Sequence, residues 1–447
     1  MSTDISHGFA PEIFSSNSAF SSELTIGGVS ATALAKEFGT PLFVVDEADF
    51  TSRALAFKAA LDLHFGHHAG KVYYASKAFL NKEIARWIEA SGLGIDVASG
   101  GELAVALAVN FPADRIQVHG NNKSEDEIEK AIMAGVGAIV VDSFHEIERV
   151  ARIAVNHKKI QRVFIRVTAG IEAHTHEFIA TAHEDVKFGF SLASGAAWKA
   201  IEEIQAHKSL HLIGLHSHIG SQIFDAQGFG VAAERLISLL AKFREHYADE
   251  LPELDLGGGF GVAYLPGEES VNPDSVLAEL SKVVAEECAK AGIRVPHISI
   301  EPGRAIAAPT TTTLYTVGTT KNIELDGGNT RRYIAVDGGF TDNMRPALYD
   351  AKYHAVLANR TSSSHRVTSR IVGKHCESGD IIIRDIELAE DIHPGDLIAV
   401  PVTGAYGRQM GSNYNHLTRP AVVAVKNGKA RVIVRRETVE DLLALDI

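Results

Sequence analysis

The sequence is poor in cysteine, in basic residues near its start and in long apolar runs. Only two cysteines occur, Cys288 and Cys376, so no disulfide framework holds the fold together. The first Lys or Arg is Lys36, so the basic segment of a secretory signal is lacking. No apolar run approaches the roughly 20 residues that span a bilayer. These absences predict a cytoplasmic globular protein that has no membrane partner.

Positive charge is also scarce. The 447 residues include 43 Lys and Arg against 56 Asp and Glu, which gives a net charge of −13. This balance argues against a protein that grips the backbone of a nucleic acid, although a local pocket for an anionic ligand stays possible. Hydrophobic residues make up 45% of the chain, as in folded globular proteins, and the length predicts two or three domains.

Short apolar runs that favour β-strands alternate with helical patterns through the middle of the chain. The eight runs are Val72–Ala75, Gly94–Ala98, Ile116–His119, Ala138–Asp142, Val163–Val167, Leu212–His216, Leu254–Gly257 and His297–Glu301. Alternation of strands and helices predicts a parallel α/β architecture. Eight such units indicate a closed (β/α)8 barrel of the TIM type more than an open sheet.

The two ends of the chain differ from the middle in composition and pattern. Residues 1–30 are rich in Ser and Gly, and we expect a loosely packed lead-in there. After Pro309, runs rich in Val, Ile and Thr follow without a long helix between them, and Asn427-Gly428 predicts a hairpin turn. The predicted domains are a barrel at 48–309 and a mostly β second domain formed by 1–47 and 310–447.

Residues able to carry chemistry follow four of the predicted strands. They are Lys77, the segment His216–Ser221, the triplet Gly257–Gly259 and the segment Glu301–Arg304. The carboxyl ends of barrel strands meet at one rim, where the active sites of such barrels lie. The sequence therefore predicts an active site at this rim.

Each of these groups also has an ordinary explanation, such as a solvated lysine, a tight turn or an ion pair within a turn. In the functional interpretation, apolar neighbours desolvate Lys77 and supply the neutral amine that carbonyl chemistry needs. The glycines let backbone N–H groups approach a phosphate, and Glu301 needs a cationic partner if it is buried. A lysine for a Schiff base, a phosphate cradle and an acid for a ring nitrogen together indicate pyridoxal 5'-phosphate.

Two further segments allow two interpretations each. His174-Thr175-His176-Glu177 resembles a set of metal ligands, but the loop context and the lack of a nearby cysteine favour no metal site. Cys376 is either a small buried residue or a reactive thiol favoured by its neighbours Lys374 and His375.

In the combination of its motifs, the chain resembles the diaminopimelate decarboxylase family, barrel-type pyridoxal-phosphate enzymes related in fold to alanine racemase. The motifs are the Lys77 segment, His216–Gln222, Gly257–Gly259, Glu301–Arg304, Asp342–Tyr349, Cys376–Asp380 and Gly404–Tyr406. The resemblance implies a carboxy-lyase that converts meso-2,6-diaminopimelate to L-lysine and CO2, the last step of lysine biosynthesis. The chain departs from the family pattern at Gly407–Met410.

The resemblance also implies roles for individual residues. Lys77 would form the Schiff base with the cofactor, and Cys376 would donate the proton to the product. The implied cofactor-binding residues are Lys77, His218, Ser221, Gly258, Gly259, Glu301, Gly303, Arg304 and Tyr406. The implied substrate-binding residues are Arg304, Arg345, Tyr349, Glu377 and Tyr406. In this family Cys376, Glu377 and Tyr406 would reach the active site of a partner subunit, which implies a homodimer with shared active sites.

Three alternatives stay open. A decarboxylase for ornithine or arginine would act on a single carboxylate, so the implied clamp at Arg345 and the Cys376–Ser378 segment favour a dicarboxylate. An amino-acid racemase would need a second acid or base for proton exchange. A catalytically silent regulatory relative would have no need of both Lys77 and Cys376.

Overall fold

The computed structural model describes residues 8–67, 69–170, 187–328 and 330–447. The chain divides into two compact units. The barrel unit comprises Arg53–Gly261 and Ser270–Ala305, and the β-rich unit comprises 8–52, Val262–Glu269 and Ile306–Ile447. The predicted domain limits at 48 and 309 stay a prediction. The segment His174–Glu177 lies outside the described residues.

The N-terminal segment is folded. Its elements are β1 (Ser18–Phe20), β2 (Leu24–Ile26), β3 (Val29–Ser30), α1 (Ala31–Phe38) and β4 (Leu42–Asp46), and α2 (Glu47–Phe65) follows. Strands β1 to β3 form an antiparallel sheet in which Leu24 and Ile26 are fully buried. The expected loose lead-in over residues 1–30 is therefore wrong from residue 8 onward, because apolar side chains of this segment enter the core.

Eight parallel strands form a closed barrel. They are β5 (Gly70–Ala75), β6 (Gly94–Val97), β7 (Ile116–Val118), β8 (Ala138–Val141), β9 (Gln161–Thr168), β11 (Leu210–His216), β12 (Glu253–Asp255) and β13 (His297–Ile300), with a short β10 (Phe190–Ser191) added beside β9. Pairing of β13 with β5 and of β8 with β9 closes the ring. The predicted barrel and all eight of its strands are confirmed.

Helices follow the strands of the barrel. They are α3 (Lys82–Ala90), α4 (Gly100–Leu107), α5 (Glu125–Ala134), α6 (Phe144–Asn156), α7 (Ala196–Ala206), α8 (Gln227–Tyr247), α9 (Pro273–Ala291) and α10 (Arg304–Ala307). Asn81, Ser99, Ser124 and Ser143 cap four of them by accepting backbone N–H groups of the first turn. These caps fix the loops at the carboxyl ends of the strands, where the candidate site lies. None of the helices in the described ranges combines the length and apolarity that crossing a membrane requires.

The C-terminal part is mostly β. Its elements are β14 (Thr311–Glu324), β15 (Thr330–Val336), α11 (Arg345–Tyr349), β16 (Val356–Leu357), β17 (Arg366–Val372), β18 (Ile381–Ala389), β19 (Leu397–Val400), β20 (Ala421–Lys426), β21 (Lys429–Val434) and α12 (Val439–Leu443). Strand β4 lies between β14 and β20 in one sheet, so both chain ends build the β-rich unit, as predicted. Asn427 and Gly428 have φ of 50° and 73°, as the predicted hairpin turn requires.

Candidate active site

A carboxylate and two imidazoles meet inside the carboxyl end of the barrel. Glu301 follows β13, His216 ends β11 and His119 follows β7, and all three are buried. Glu301 Oε1 lies 3.1 Å from His119 Nε2 and 3.3 Å from His216 Nε2. The two imidazole rings meet edge to face, with centroids 4.9 Å apart. His119 was not singled out from the sequence. Its position directly after a buried apolar strand is the signal that could have identified it.

Burial sets the charges of this cluster. It lowers the pKa of His216 to about 4, and the nearby Glu301 offsets only part of that effect, so the ring is neutral at pH 7. Burial also acts to raise the pKa of Glu301, but His119 and His216 outweigh it and bring that pKa well below its usual range. Burial raises the pKa of Asp96 to about 6 and that of Asp255 well above its usual range. Glu301 is therefore the most firmly ionised of these three carboxyl groups.

Lys77 and His218 occupy the same rim. Lys77 lies in a short turn after β5, and its side chain is exposed, whereas its neighbours Ser76 and Ala78 are buried. The expected desolvation of Lys77 by its apolar neighbours is therefore not seen in the single chain, where the residue is exposed. Burial and the charge of nearby Lys77 lower the pKa of His218 well below its usual range. His218 is thus neutral, and its Nδ1 accepts the N–H of Gly258 at 3.2 Å.

The glycine triplet makes close backbone contacts that exclude side chains. A Cβ atom on Gly258 would lie 2.2 Å from the carbonyl oxygen of Glu301, and one on Gly259 would lie 2.4 Å from that of Gly220. Gly259 also has a φ of 109°, which other residues rarely adopt. At Gly303, a Cβ would lie 2.8 Å from the carbonyl oxygen of Ala75. These loops therefore need glycine for packing alone, whatever ligand they bind.

Polar donors lie at the same rim. Arg304 is buried at the start of α10, and its Nη2 donates to the Oγ of Ser221 at 2.8 Å. A guanidinium and a hydroxyl so paired, together with glycine N–H groups, form the kind of donor set that binds a phosphate.

In the β-rich unit, Arg345 is buried among aromatic rings. Its Nη1 donates to the hydroxyl of Tyr353 at 2.6 Å, and its guanidinium lies 4.8 Å from the centroid of the Tyr264 ring. Burial acts to lower the pKa of Arg345, but Tyr264, Tyr353 and Tyr406 outweigh it and raise that pKa above its usual value. Tyr349 ends α11 and is half-buried, as is Tyr406. Arg345 is thus a fixed positive charge in a largely apolar setting.

Cys376 and Glu377 are both exposed. Glu377 Oε1 accepts a hydrogen bond from the hydroxyl of Tyr414 at 2.8 Å. The adjacent His375 is buried, and its Nε2 pairs with Thr341 Oγ1 at 2.8 Å. The imidazole that was expected to favour the thiolate is therefore engaged elsewhere.

The predicted site residues thus fall into two groups, one in each unit. The barrel unit holds Lys77, His218, Ser221, Gly258, Gly259, Glu301, Gly303 and Arg304. The β-rich unit holds Arg345, Tyr349, Cys376, Glu377 and Tyr406. Sequence reasoning missed His119, Asp96, Asp255 and Tyr414.

The barrel residues fit pyridoxal phosphate. Within the described part of the chain, the buried Oε1 of Glu301 makes no well-aligned hydrogen bond, although the Nε2 atoms of His119 and His216 lie 3.1 and 3.3 Å away, so it can still accept from a protonated ring nitrogen. An exposed lysine amine and a set of phosphate donors lie at the same rim. The fold and the site together define a barrel-type enzyme that depends on pyridoxal phosphate.

Comparisons with known proteins narrow this class. Residues 47–308 match the family described as pyridoxal-dependent decarboxylase, pyridoxal binding domain. The chain is 53% identical over 426 residues to diaminopimelate decarboxylase of Mycobacterium tuberculosis, covering 94% of each chain. It is 46% identical over 424 residues to diaminopimelate decarboxylase of Bacillus subtilis, covering 95% of each. The chain therefore belongs to the diaminopimelate decarboxylase family.

Solved structures agree with this assignment. The crystal structure of diaminopimelate decarboxylase from M. jannaschii in complex with L-lysine superposes with a TM-score of 0.88 at 30% identity, covering 97% of this chain and 98% of that one. Lysine/ornithine decarboxylase from Vibrio vulnificus shares the fold at 23% identity and a TM-score of 0.73.

Proposed function

We propose that this protein decarboxylates meso-2,6-diaminopimelate at its D centre and releases L-lysine and CO2. Membership of the diaminopimelate decarboxylase family supports the reaction. The observation that carries the substrate assignment is Arg345, a buried guanidinium that keeps its charge among Tyr264 and Tyr353. A planar guanidinium suits a second carboxylate, which ornithine and arginine lack.

The barrel residues would hold and polarise the cofactor. Pyridoxal phosphate, when bound, takes up the electron pair that the departing carboxylate leaves behind. Glu301, held as an anion between His119 and His216, would pair with the ring nitrogen and keep it protonated. Lys77 would bind the cofactor covalently and yield its place to the amine of the substrate. His218, whose ring is neutral, would stack on the cofactor ring.

The phosphate of the cofactor would lie between the glycine loops and the start of α10. Gly259 and Gly303 would offer backbone N–H groups, Gly258, whose N–H donates to His218, would let the loop pass close to the phosphate, and Ser221 and Arg304 would add a hydroxyl and a guanidinium. Tyr406 would add a contact from the β-rich unit. Arg304 would place a positive charge beside the phosphate although the chain as a whole is acidic.

The β-rich unit would bind the far end of the substrate. Arg345 and Tyr349, with Arg304 of the barrel unit, would bind the distal carboxylate, and Glu377 would bind the distal ammonium. When the bond between Cα and the carboxylate breaks, CO2 leaves and the electron pair stays behind. The Sγ of Cys376 would then deliver the proton that completes the Cα–H bond.

We also propose a homodimer in which Cys376, Glu377 and Tyr406 serve the active site of the partner. Cys376 and Glu377 are exposed in the single chain, although an acid that protonates a carbanion works best away from water. We propose separately that the protein is cytoplasmic, because a reducing compartment would keep the exposed thiol of Cys376 reduced. Cell fractionation tests the location.

Release of CO2 from meso-diaminopimelate, ornithine and arginine tests the substrate. We expect turnover with the first only, and absence of turnover with it would overturn the proposal.

Borohydride reduction of the enzyme carrying labelled cofactor tests the assignment of Lys77. The label should appear on the peptide that contains Lys77 and be lost in Lys77→Ala, whereas label on another lysine would contradict the assignment.

A further inference from the structure

The adjacent residues Tyr414 and Asn415 form hydrogen bonds with the adjacent residues Glu377 and Cys376. The hydroxyl of Tyr414 donates to Glu377 Oε1 at 2.8 Å. The Oδ1 of the next residue, Asn415, accepts the backbone N–H of Cys376 at 3.3 Å. The turn therefore contacts both residues of the β-rich unit to which we assign proton transfer and ammonium binding.

The backbone of this turn has an unusual conformation, and Glu437 stabilises the residues that flank it. Asn415 and His416 have φ of 53° and 54°, so two consecutive residues other than glycine adopt the left-handed region. The Nδ2 of the preceding Asn413 donates to Glu437 Oε2 at 2.7 Å. The same Oε2 accepts the backbone N–H of Arg419 at 2.8 Å. A costly conformation that is fixed in this way is typical of sites where the placement of a side chain matters.

His375 locks the other side of the turn. Its Nδ1 lies 3.3 Å from Asn415 Oδ1, and its Nε2 lies 2.8 Å from Thr341 Oγ1. If Nδ1 carries the proton, it donates to Asn415 and Nε2 accepts from Thr341, so both ring nitrogens are satisfied. The ring of His375 also contacts that of Tyr414, with centroids 5.8 Å apart. Asn415 is thus an acceptor for two donors of the Cys376 segment.

Folding alone gives little reason for this arrangement. Tyr414 is 42% exposed and Glu377 is exposed, and hydrogen bonds between exposed side chains add little to stability. The bond to Glu377 raises the pKa of Tyr414, so its hydroxyl keeps the proton that it donates. The bond instead fixes the direction of a carboxylate that would otherwise rotate freely.

We propose that Tyr414 and Asn415 are positioning residues. Tyr414 aims the carboxylate of Glu377 at the distal ammonium of the substrate, and so contributes to the choice of a diamino acid. Asn415 fixes the backbone that carries the thiol of Cys376. The inference rests on the proposed function, because it takes from there the roles of Glu377 and Cys376.

Steady-state kinetics with meso-diaminopimelate test the two positions separately. Tyr414→Phe removes one oxygen and keeps the ring, so KM should rise about tenfold while kcat stays within about twofold. Asn415→Gly removes the acceptor and still tolerates a positive φ, so kcat should fall about tenfold with little change in KM. A purely structural role would lower stability in both variants without separating KM from kcat.

Matched controls and a double variant complete the test. Tyr333→Phe removes a hydroxyl that accepts from Arg370 at 3.2 Å, and Asn427→Gly changes a hairpin residue with φ of 50°. Both should leave KM and kcat unchanged. Tyr414→Phe combined with Glu377→Gln should raise KM no further than Glu377→Gln alone. The visible spectrum of the bound cofactor should match the unchanged protein in every variant, and so should the melting temperature except in Asn415→Gly, where the Nδ1 of His375 loses its acceptor.

The outcomes separate the inference from the function beneath it. Turnover by the unchanged protein, with both variants retaining its KM and kcat, would overturn the inference alone. Additive effects of Tyr414→Phe and Glu377→Gln would overturn the role of Tyr414. A protein that releases no CO2 from meso-diaminopimelate would overturn the proposed function and the inference with it.

Discussion

Single residues of the candidate site owe their charge state to burial and to their charged neighbours. His216 is fully enclosed and lies 3.3 Å from Glu301, so the imidazole stays neutral and the carboxylate stays charged. A neutral imidazole beside an anion can donate a hydrogen bond without cancelling the charge. The cluster thus presents the buried negative charge of Glu301, as a pyridinium nitrogen would require.

The low pKa of His216 makes stability depend on pH. Its pKa of about 4 in the folded protein lies below the ordinary value of 6.5, so the unfolded chain binds more protons between these limits. Stability from this residue is complete above pH 6.5 and is lost as pH falls toward 4. Between pH 7 and pH 5 the loss is about 2 kcal/mol. Chemical denaturation at both values should show a smaller loss for His216→Gln, and an equal loss would contradict the assignment.

Substitution of Cys376 tests its role as the proton donor. Cys376→Ala should lower kcat by about a hundredfold or more, because a positioned acid contributes that much, and should leave cofactor absorbance intact. Cys288→Ala is the matched control, since this thiol is buried in α9, where burial raises its pKa to about 11. Turnover by Cys376→Ala at the rate of the control variant would remove the role of Cys376 as donor.

At the scale of elements, short loops after parallel strands bring the site together. The glycine loop follows β12, and its backbone passes the end of β13 so closely that side chains are excluded. The caps on α3 to α6 fix neighbouring loops in the same way. The geometry of the rim therefore depends on backbone packing as much as on the side chains that face the ligand.

Gly258→Ala measures this packing. The added Cβ would lie 2.2 Å from the carbonyl oxygen of Glu301, so the loop must shift, at a cost of about 1 to 3 kcal/mol. The cofactor should also dissociate more readily, as equilibrium dialysis would show. Gly101→Ala in α4 meets only the Oγ of Ser99 at 3.7 Å and should be neutral or stabilising. Equal stability of the two variants would show that the loop adapts freely.

At the scale of the whole molecule, the proposed function would use residues of both units and, in the proposed homodimer, of two copies of the chain. The barrel unit carries Lys77 and the β-rich unit carries Cys376. If each active site takes Cys376 from the partner subunit, a change in one chain affects the site of the other. This arrangement would explain why the exposed residues of the β-rich unit include those assigned to chemistry.

Mixed dimers test the sharing of sites. Lys77→Ala and Cys376→Ala should each be nearly inactive alone. After unfolding and refolding together in equal amounts, about half of the dimers are mixed, and each mixed dimer has one intact site, so activity should return to about a quarter. Sites built within one chain would give no recovery. Lys77→Ala refolded with itself is the control.

Local sequence patterns predicted much of this molecule. The apolar runs alternate with helical patterns, and strand and helix formation depend largely on such local features. Strand β18 is hard to recognise from local sequence because Arg384 and Asp385 interrupt its apolar residues, and pairing with β17 completes it. The short N-terminal strands were not predicted for a similar reason, since the Ser and Gly content of the segment hid the buried Leu24 and Ile26.

The sequence by itself determined the barrel, the β-rich unit built from both chain ends, and the placement of Lys77 and Glu301 after their strands. These features follow from periodicity and from position next to a strand, which neighbouring residues fix. Only the tertiary structure decided that His119 meets Glu301 and that Asn415 meets Cys376. It also decided which groups are charged, because burial and contacts between distant segments set a pKa, and neither is encoded locally.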